Sequence, residues 1–130
     1  MLKAIISILT NDATVQSLVG QNKAKDKYKV YPVAVPETET HPYLVARMSG
    51  KVPGAKNCGY IYTIEVIAYH SSYDNVSALI EAAEDALISE PAGTIEGISY
   101  GFSQLTNESD DFVKDHDLYV KTATFQTHGI

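Results

Sequence analysis

Tyr60-Ile61-Tyr62-Thr63-Ile64-Glu65-Val66-Ile67-Ala68-Tyr69-His70, running at once into Ser71-Ser72-Tyr73-Asp74, decides the fold class. Side chains alternate across a strand, so Tyr60, Tyr62, Ile64, Val66 and Ala68 share one face. Ile61, Thr63, Glu65, Ile67 and Tyr69 share the other. Both faces are largely apolar, which predicts a central strand with at least one face under helices. The period then changes. Ser72 offers an N-cap, Asp74 complements the helix dipole, and Val76, Leu79, Ile80, Ala83 and Leu87 form an apolar stripe at helical spacing. Pro91 and Gly93 stop that helix.

Working outward toward the N-terminus, Pro42 leads into an extended run, Tyr43-Leu44-Val45-Ala46-Arg47-Met48. Before it, Val30-Tyr31-Pro32 starts extended structure that Pro32 and Pro36 confine to a sheet edge. Leu2, Ile5, Ile6 and Leu9 predict a short amphipathic helix, and Asp12 caps a second one that carries Val15, Leu18 and Val19 and ends at Gly20. The start has a superficial signal-peptide flavour, but the apolar stretch is short and lacks a small-residue cleavage site. It reads as a mature helix of a cytoplasmically made protein. In the other direction, Ile95 to Leu105 alternates loosely, with Gly97 and Gly101 marking a bulge or close packing, and Leu118 to Phe125 is the last strand. The expected architecture is α+β, in the order α-α-β-β-β-α-β-β. A mainly antiparallel or mixed sheet carries helices on one face within a single domain, 1–130. Exposed loops are expected at 20–29, 49–59 and 107–117.

The chain has 130 residues and a formal net charge of −6. That charge is split. Residues 1–57 hold eight bases against four acids, while residues 58–130 hold two bases against twelve acids. An acidic total argues against gripping nucleic acid through its phosphates, which requires clustered Lys and Arg. The basic surplus gathers in 21–29, with Lys23, Lys25, Lys27 and Lys29; the acidic one in 107–117, with Asp110, Asp111, Asp115 and Asp117.

Chemistry-bearing motifs are absent: no Gly-rich phosphate loop, no nucleophile elbow, no H-E-x-x-H and no C-x-x-C. Cys58 stands alone, between Asn57 and Gly59, and reads as a bystander loop thiol. The grouping Asp115-His116-Asp117 reads as a solvated acidic turn, since adjacent residues rarely converge on one ion. Glu81, Glu84 and Asp85 share a helix face opposite the apolar stripe, so water is their expected neighbour. Glu65, mid-strand, is expected to pair with Arg47 or Lys121 across the sheet. His70 reads as the end of its strand. Nine tyrosines and no tryptophan make an interface-prone composition, with Tyr60 and Tyr62 as candidate contact residues. No catalytic, cofactor-binding or metal-binding residue is assigned.

Taken together, the paired N-terminal helices, Val30-Tyr31-Pro32, Pro42-Tyr43-Leu44-Val45, the strand 60–70 entering a Ser-capped helix, the acidic turn and the final strand near Phe125 resemble one family. It is the tail-terminator, or tail-completion, proteins of long-tailed bacteriophages and prophages. Its lysine-rich 21–29 segment is longer than the family's usual link. The resemblance implies a non-enzymatic subunit without cofactors that forms a homo-oligomeric ring, typically a hexamer. Such a ring sits at the head-proximal end of the tail, on the tail-tube protein, and meets the head connector. Assembly takes place in the bacterial cytoplasm, with no membrane partner and no specific nucleic-acid binding, although DNA passes through the ring. A ring of identical head-to-tail contacts needs two complementary patches per subunit, which the basic and acidic segments could supply. The acids could instead face the lumen and repel DNA phosphates. The alternatives are a small ligand-binding or hydrolytic domain using Glu65 or His70, or another phage head-closure or tube component.

Overall fold

The computed structural model describes residues 1–36, 39–55 and 59–129. In chain order the elements are α1 (Leu2–Asn11), α2 (Ala13–Val19), β1 (Val30–Pro32), β2 (Tyr43–Pro53), β3 (Tyr60–His70), α3 (Tyr73–Ser89), β4 (Gly93–Ile95), β5 (Ile98–Val113) and β6 (Leu118–Gly129). A 3-10 turn, Lys114–His116, joins the last two strands. The strands form one six-stranded sheet in the order β1-β2-β3-β6-β5-β4. β1 runs parallel to β2 and every other neighbouring pair is antiparallel. The α+β reading holds, and β3 occupies the predicted stretch, flanked on both sides.

The alternation of β3 sets the layers. Ile64, Val66 and Ala68 are fully buried, and their β6 partners Phe125 and Ala123 are buried with them. They pack against Ile5 and Leu9 of α1, Val15 of α2 and Val76, Leu79, Ile80, Ala83 and Leu87 of α3. Each large side chain taken fully out of water there contributes about 1.5–3 kcal/mol. Among the described residues no helix lies over the opposite sheet face, where Thr63, Glu65 and Ile67 are only partly covered. Local signals set the helix ends. Asp12 accepts the Val15 N–H at 3.0 Å, and Gly20 ends α2 at φ 70°. Ser72 holds the N-cap position of α3, but its side chain makes no capping bond.

Four expectations change. A short strand, β4, adds a ninth element to the order. It returns through Glu96 and Gly97, both at positive φ, which suits the twist of a two-residue hairpin. Residues 49–53 are the outer half of β2 rather than loop, with an extra residue bulged between Met48 and Gly50. Of the remaining 49–59 stretch, Lys56, Asn57 and Cys58 lie outside the described residues. Residues 107–113 are likewise strand, the outer half of β5, and only the 3-10 turn and Asp117 are loop. Lys29 is not an exposed lysine. It is 7% exposed, and its Nζ donates to the Thr40 carbonyl at 3.1 Å, tying down the β1–β2 connection.

Candidate functional site

The sheet ends in two unlike edges. β1 covers β2 only at residues 44–46, and β4 covers β5 only at residues 98–100. Beyond these short caps, residues 47–53 and 102–113 are outer strands of the sheet. On β5, residues 104–112 are exposed throughout, and they carry Glu108, Asp110 and Asp111. An acidic, two-sided polar strand of this kind resists pairing with a like edge.

The basic residues gather at the other end. Lys23, Lys25 and Lys27 are exposed on a small loop closed by the Gln21–Tyr28 bridge, with Asn22 and Asp26 hydrogen-bonded at its tip. That loop leans on β1, where the Lys27 ammonium lies 5.3 Å from the Tyr31 ring centre. The Tyr31 hydroxyl donates to Glu39, and burial together with this carboxylate pushes its pKa well above the usual phenol range. Lys51 lies on the free half of β2, 4.1 Å from the centre of the Tyr60 ring and 5.7 Å from that of Tyr62. Tyr60 and Tyr62 therefore act as a platform that holds a lysine at the edge. Lys29 turns inward and leaves this basic surface.

Several aromatic and charged groups brace the acidic strand. Phe112 tilts against Tyr119 at 4.8 Å, and Tyr119 meets Tyr73 of α3 edge-on at 5.8 Å. Asp110 receives Lys121 at 3.6 Å and the Tyr73 hydroxyl at 3.3 Å. Asp111 points to the other face, opposite Val120, and Asp115 and Asp117 stand exposed in the turn. The four aspartates thus share one end of one hairpin without sharing one face.

The α3 carboxylates are not all bathed in water. Glu81 and Asp85 are exposed, whereas Glu84 is partly covered, with Oε1 buried and unpartnered. Desolvation, then the neighbouring Glu108 and Glu81, push its pKa up to about 7, with Lys121 opposing. Sequence position alone could not find this pair, because Glu108 arrives from a distant strand.

The residues proposed for an enzymatic alternative do not converge. Glu65 is bonded to Arg47 through Nη2 at 2.9 Å, one of its two expected partners. His70 alternates to the opposite face of β3, where its Nδ1 accepts the Ser72 N–H at 3.1 Å. Burial, His41 and Lys29 lower the His70 pKa. Among the described residues, no three His, Cys, Asp or Glu side chains are grouped to hold a metal ion, and no helix is long and apolar enough to cross a membrane.

No curated protein matches the chain. Among solved structures, a chain from the virion of a native gene transfer agent (GTA) particle superposes with a TM-score of 0.70 at 13% identity, covering 96% of this chain and 90% of that one. At that identity the likeness speaks for the fold. The family model for tail completion protein gp17 matches residues 3–128, from α1 to the end of β6. On that match the chain belongs to the tail completion protein gp17 family, structural proteins of the phage tail.

Proposed function

We propose that this protein caps the finished tail tube as a homo-oligomeric ring, ends tube growth and presents the tail to the head connector. The observation that carries this reading is the family match over residues 3–128. The architecture agrees with a part that works by contact. Its charges sort to opposite sheet edges, basic beside β1 and β2 and acidic along β5, as a head-to-tail assembly requires. A hexamer is the proposed stoichiometry, by family resemblance, and the tail-tube and connector proteins are the proposed partners. The proposed role is non-enzymatic, and the proposed place is the head-proximal end of the tail.

DNA has to pass such a ring without adhering. Acids on a lumen-facing turn, Asp115 and Asp117 above all, repel phosphates over a Debye length of about 8 Å at physiological salt. Electron microscopy of the purified protein, alone and mixed with tail tubes, tests the whole reading. Rings seated on tube ends are expected; tubes that keep elongating and stay uncapped would overturn it.

A further inference from the structure

We infer that copies of this chain join edge to edge through their sheets, the free half of β2 in one subunit pairing antiparallel with the free half of β5 in the next. This rests on the ring reading above and names its interface. The four long strands β2, β3, β6 and β5 alternate in direction, so the two outer ones run opposite ways. Repeating the sheet sideways therefore sets β5 against β2 in the antiparallel sense that the sheet already uses.

The two edges also match in backbone parity. The Leu44 N–H and the Ala46 carbonyl point outward, toward Lys29 and Val33. Alternating from there through the registers of β2, β3, β6 and β5 turns Glu108, Asp110 and Phe112 outward on the far side. The helix-side residues thus point their backbone groups outward at both edges. An even number of antiparallel strands makes the two ends compatible, where an odd number would not.

Charge fixes the register. On the helix side, Lys51 stands opposite Tyr62 within its own sheet, and Glu108 opposite buried Ala123. On the uncovered side, Arg47 stands opposite Glu65 and Asp111 opposite Val120. Setting Lys51 against Glu108 of the next copy brings Arg47 against Asp111, because the bulge between Met48 and Gly50 absorbs the odd residue. Both pairs then match in charge and in side of the sheet. The ladder, residues 47–53, extends about 23 Å at a rise of roughly 3.3 Å per residue. Like edges repel: two β5 strands would oppose acids to acids.

In this register Val52 and Asn107 face each other on the uncovered side as a non-hydrogen-bonded pair, the closest approach of side chains between antiparallel strands. The test replaces both with cysteine and Cys58 with serine, then oxidises the protein under conditions where it caps tail tubes. A reducible ladder of covalent multimers is expected. A control pairing Val52→Cys with Asp111→Cys should give none. A second experiment reverses charge: Lys51→Glu and Glu108→Lys should each weaken assembly about tenfold per interface, and the double reversal should restore it. Circular dichroism confirms that each variant folds. Rings on tubes without a ladder or rescue would overturn edge pairing and leave the ring intact. No rings and no ladder from folded protein would overturn both.

Discussion

Glu84 on α3 and Glu108 on β5 bring two carboxyl groups together where the main helix meets the edge strand, and Glu84 Oε1 is buried without a hydrogen-bond partner. Two adjacent carboxylates cannot both ionise without cost, so one holds its proton at a higher pH than an exposed carboxyl. The Glu84 pKa lies at about 7, above its ordinary 4.5. For a raised carboxyl pKa, the stabilisation is complete below the unfolded value and is lost as pH climbs through the folded one. Glu84→Gln should therefore flatten the fall in melting temperature between pH 4.5 and 7 and stabilise the protein at pH 8. Parallel melting curves of wild type and variant across pH check this; identical slopes would exclude the pair as a source of pH dependence.

Tyr100 ends α3 from outside. It is fully buried, and its hydroxyl donates to the Leu87 carbonyl at 2.9 Å while sharing a hydrogen bond with Ser103 at 2.8 Å, which continues to Thr127. Carbonyls in a last helical turn lack partners within the helix, so this phenol replaces water there. Tyr100→Phe should destabilise by about 1–3 kcal/mol, the cost of leaving a buried acceptor unmet. Urea titration gives the figure, and a loss under half a kcal/mol would mean that water takes over the role.

Lys23, Lys25 and Lys27 are exposed on the loop beside β1 and make no salt bridge with a described residue. Changing all three to glutamate should leave the melting temperature within a few degrees and weaken ring assembly, as should high salt. Sedimentation velocity across ionic strength reads the effect. Assembly indifferent to both would exclude this loop from steering.

Asp115 and Asp117 carry the proposed lumen role and Asp111 the proposed interface role, and substitutions tell the two apart. Neutralising Asp115 and Asp117 to asparagine should preserve rings and slow DNA ejection, whereas Asp111→Asn should weaken ring assembly. Ejection timed on reconstituted particles, beside ring counts in micrographs, tests both halves. Normal ejection from the turn variant would remove the lumen role.

Sequence was most readable where a face had to be buried. The β3 alternation and the α3 stripe both position core residues, and each was visible as a period. The outer halves of β2 and β5 were not, because a strand exposed on both faces has no apolar alternation to detect. β4 left only a faint mark, Glu96-Gly97 between Ile95 and Ile98. Lys29 and Glu84 escaped for another reason. Their surroundings come from Thr40 and Glu108, and neither neighbour follows from local spacing. The family resemblance rested on the order of elements, which the match over residues 3–128 bears out.

The brevity of β1 and β4 has a consequence for growth. Each is three residues long, so a lone subunit keeps one vacant acidic margin and one vacant basic margin. In the proposed edge-to-edge assembly, every open chain of subunits inherits the same two ends whatever its length, and so can always accept one more. Only closing the circle consumes both ends at once. Termination is then a topological property of the assembly, needing neither a ruler nor a separate stop signal.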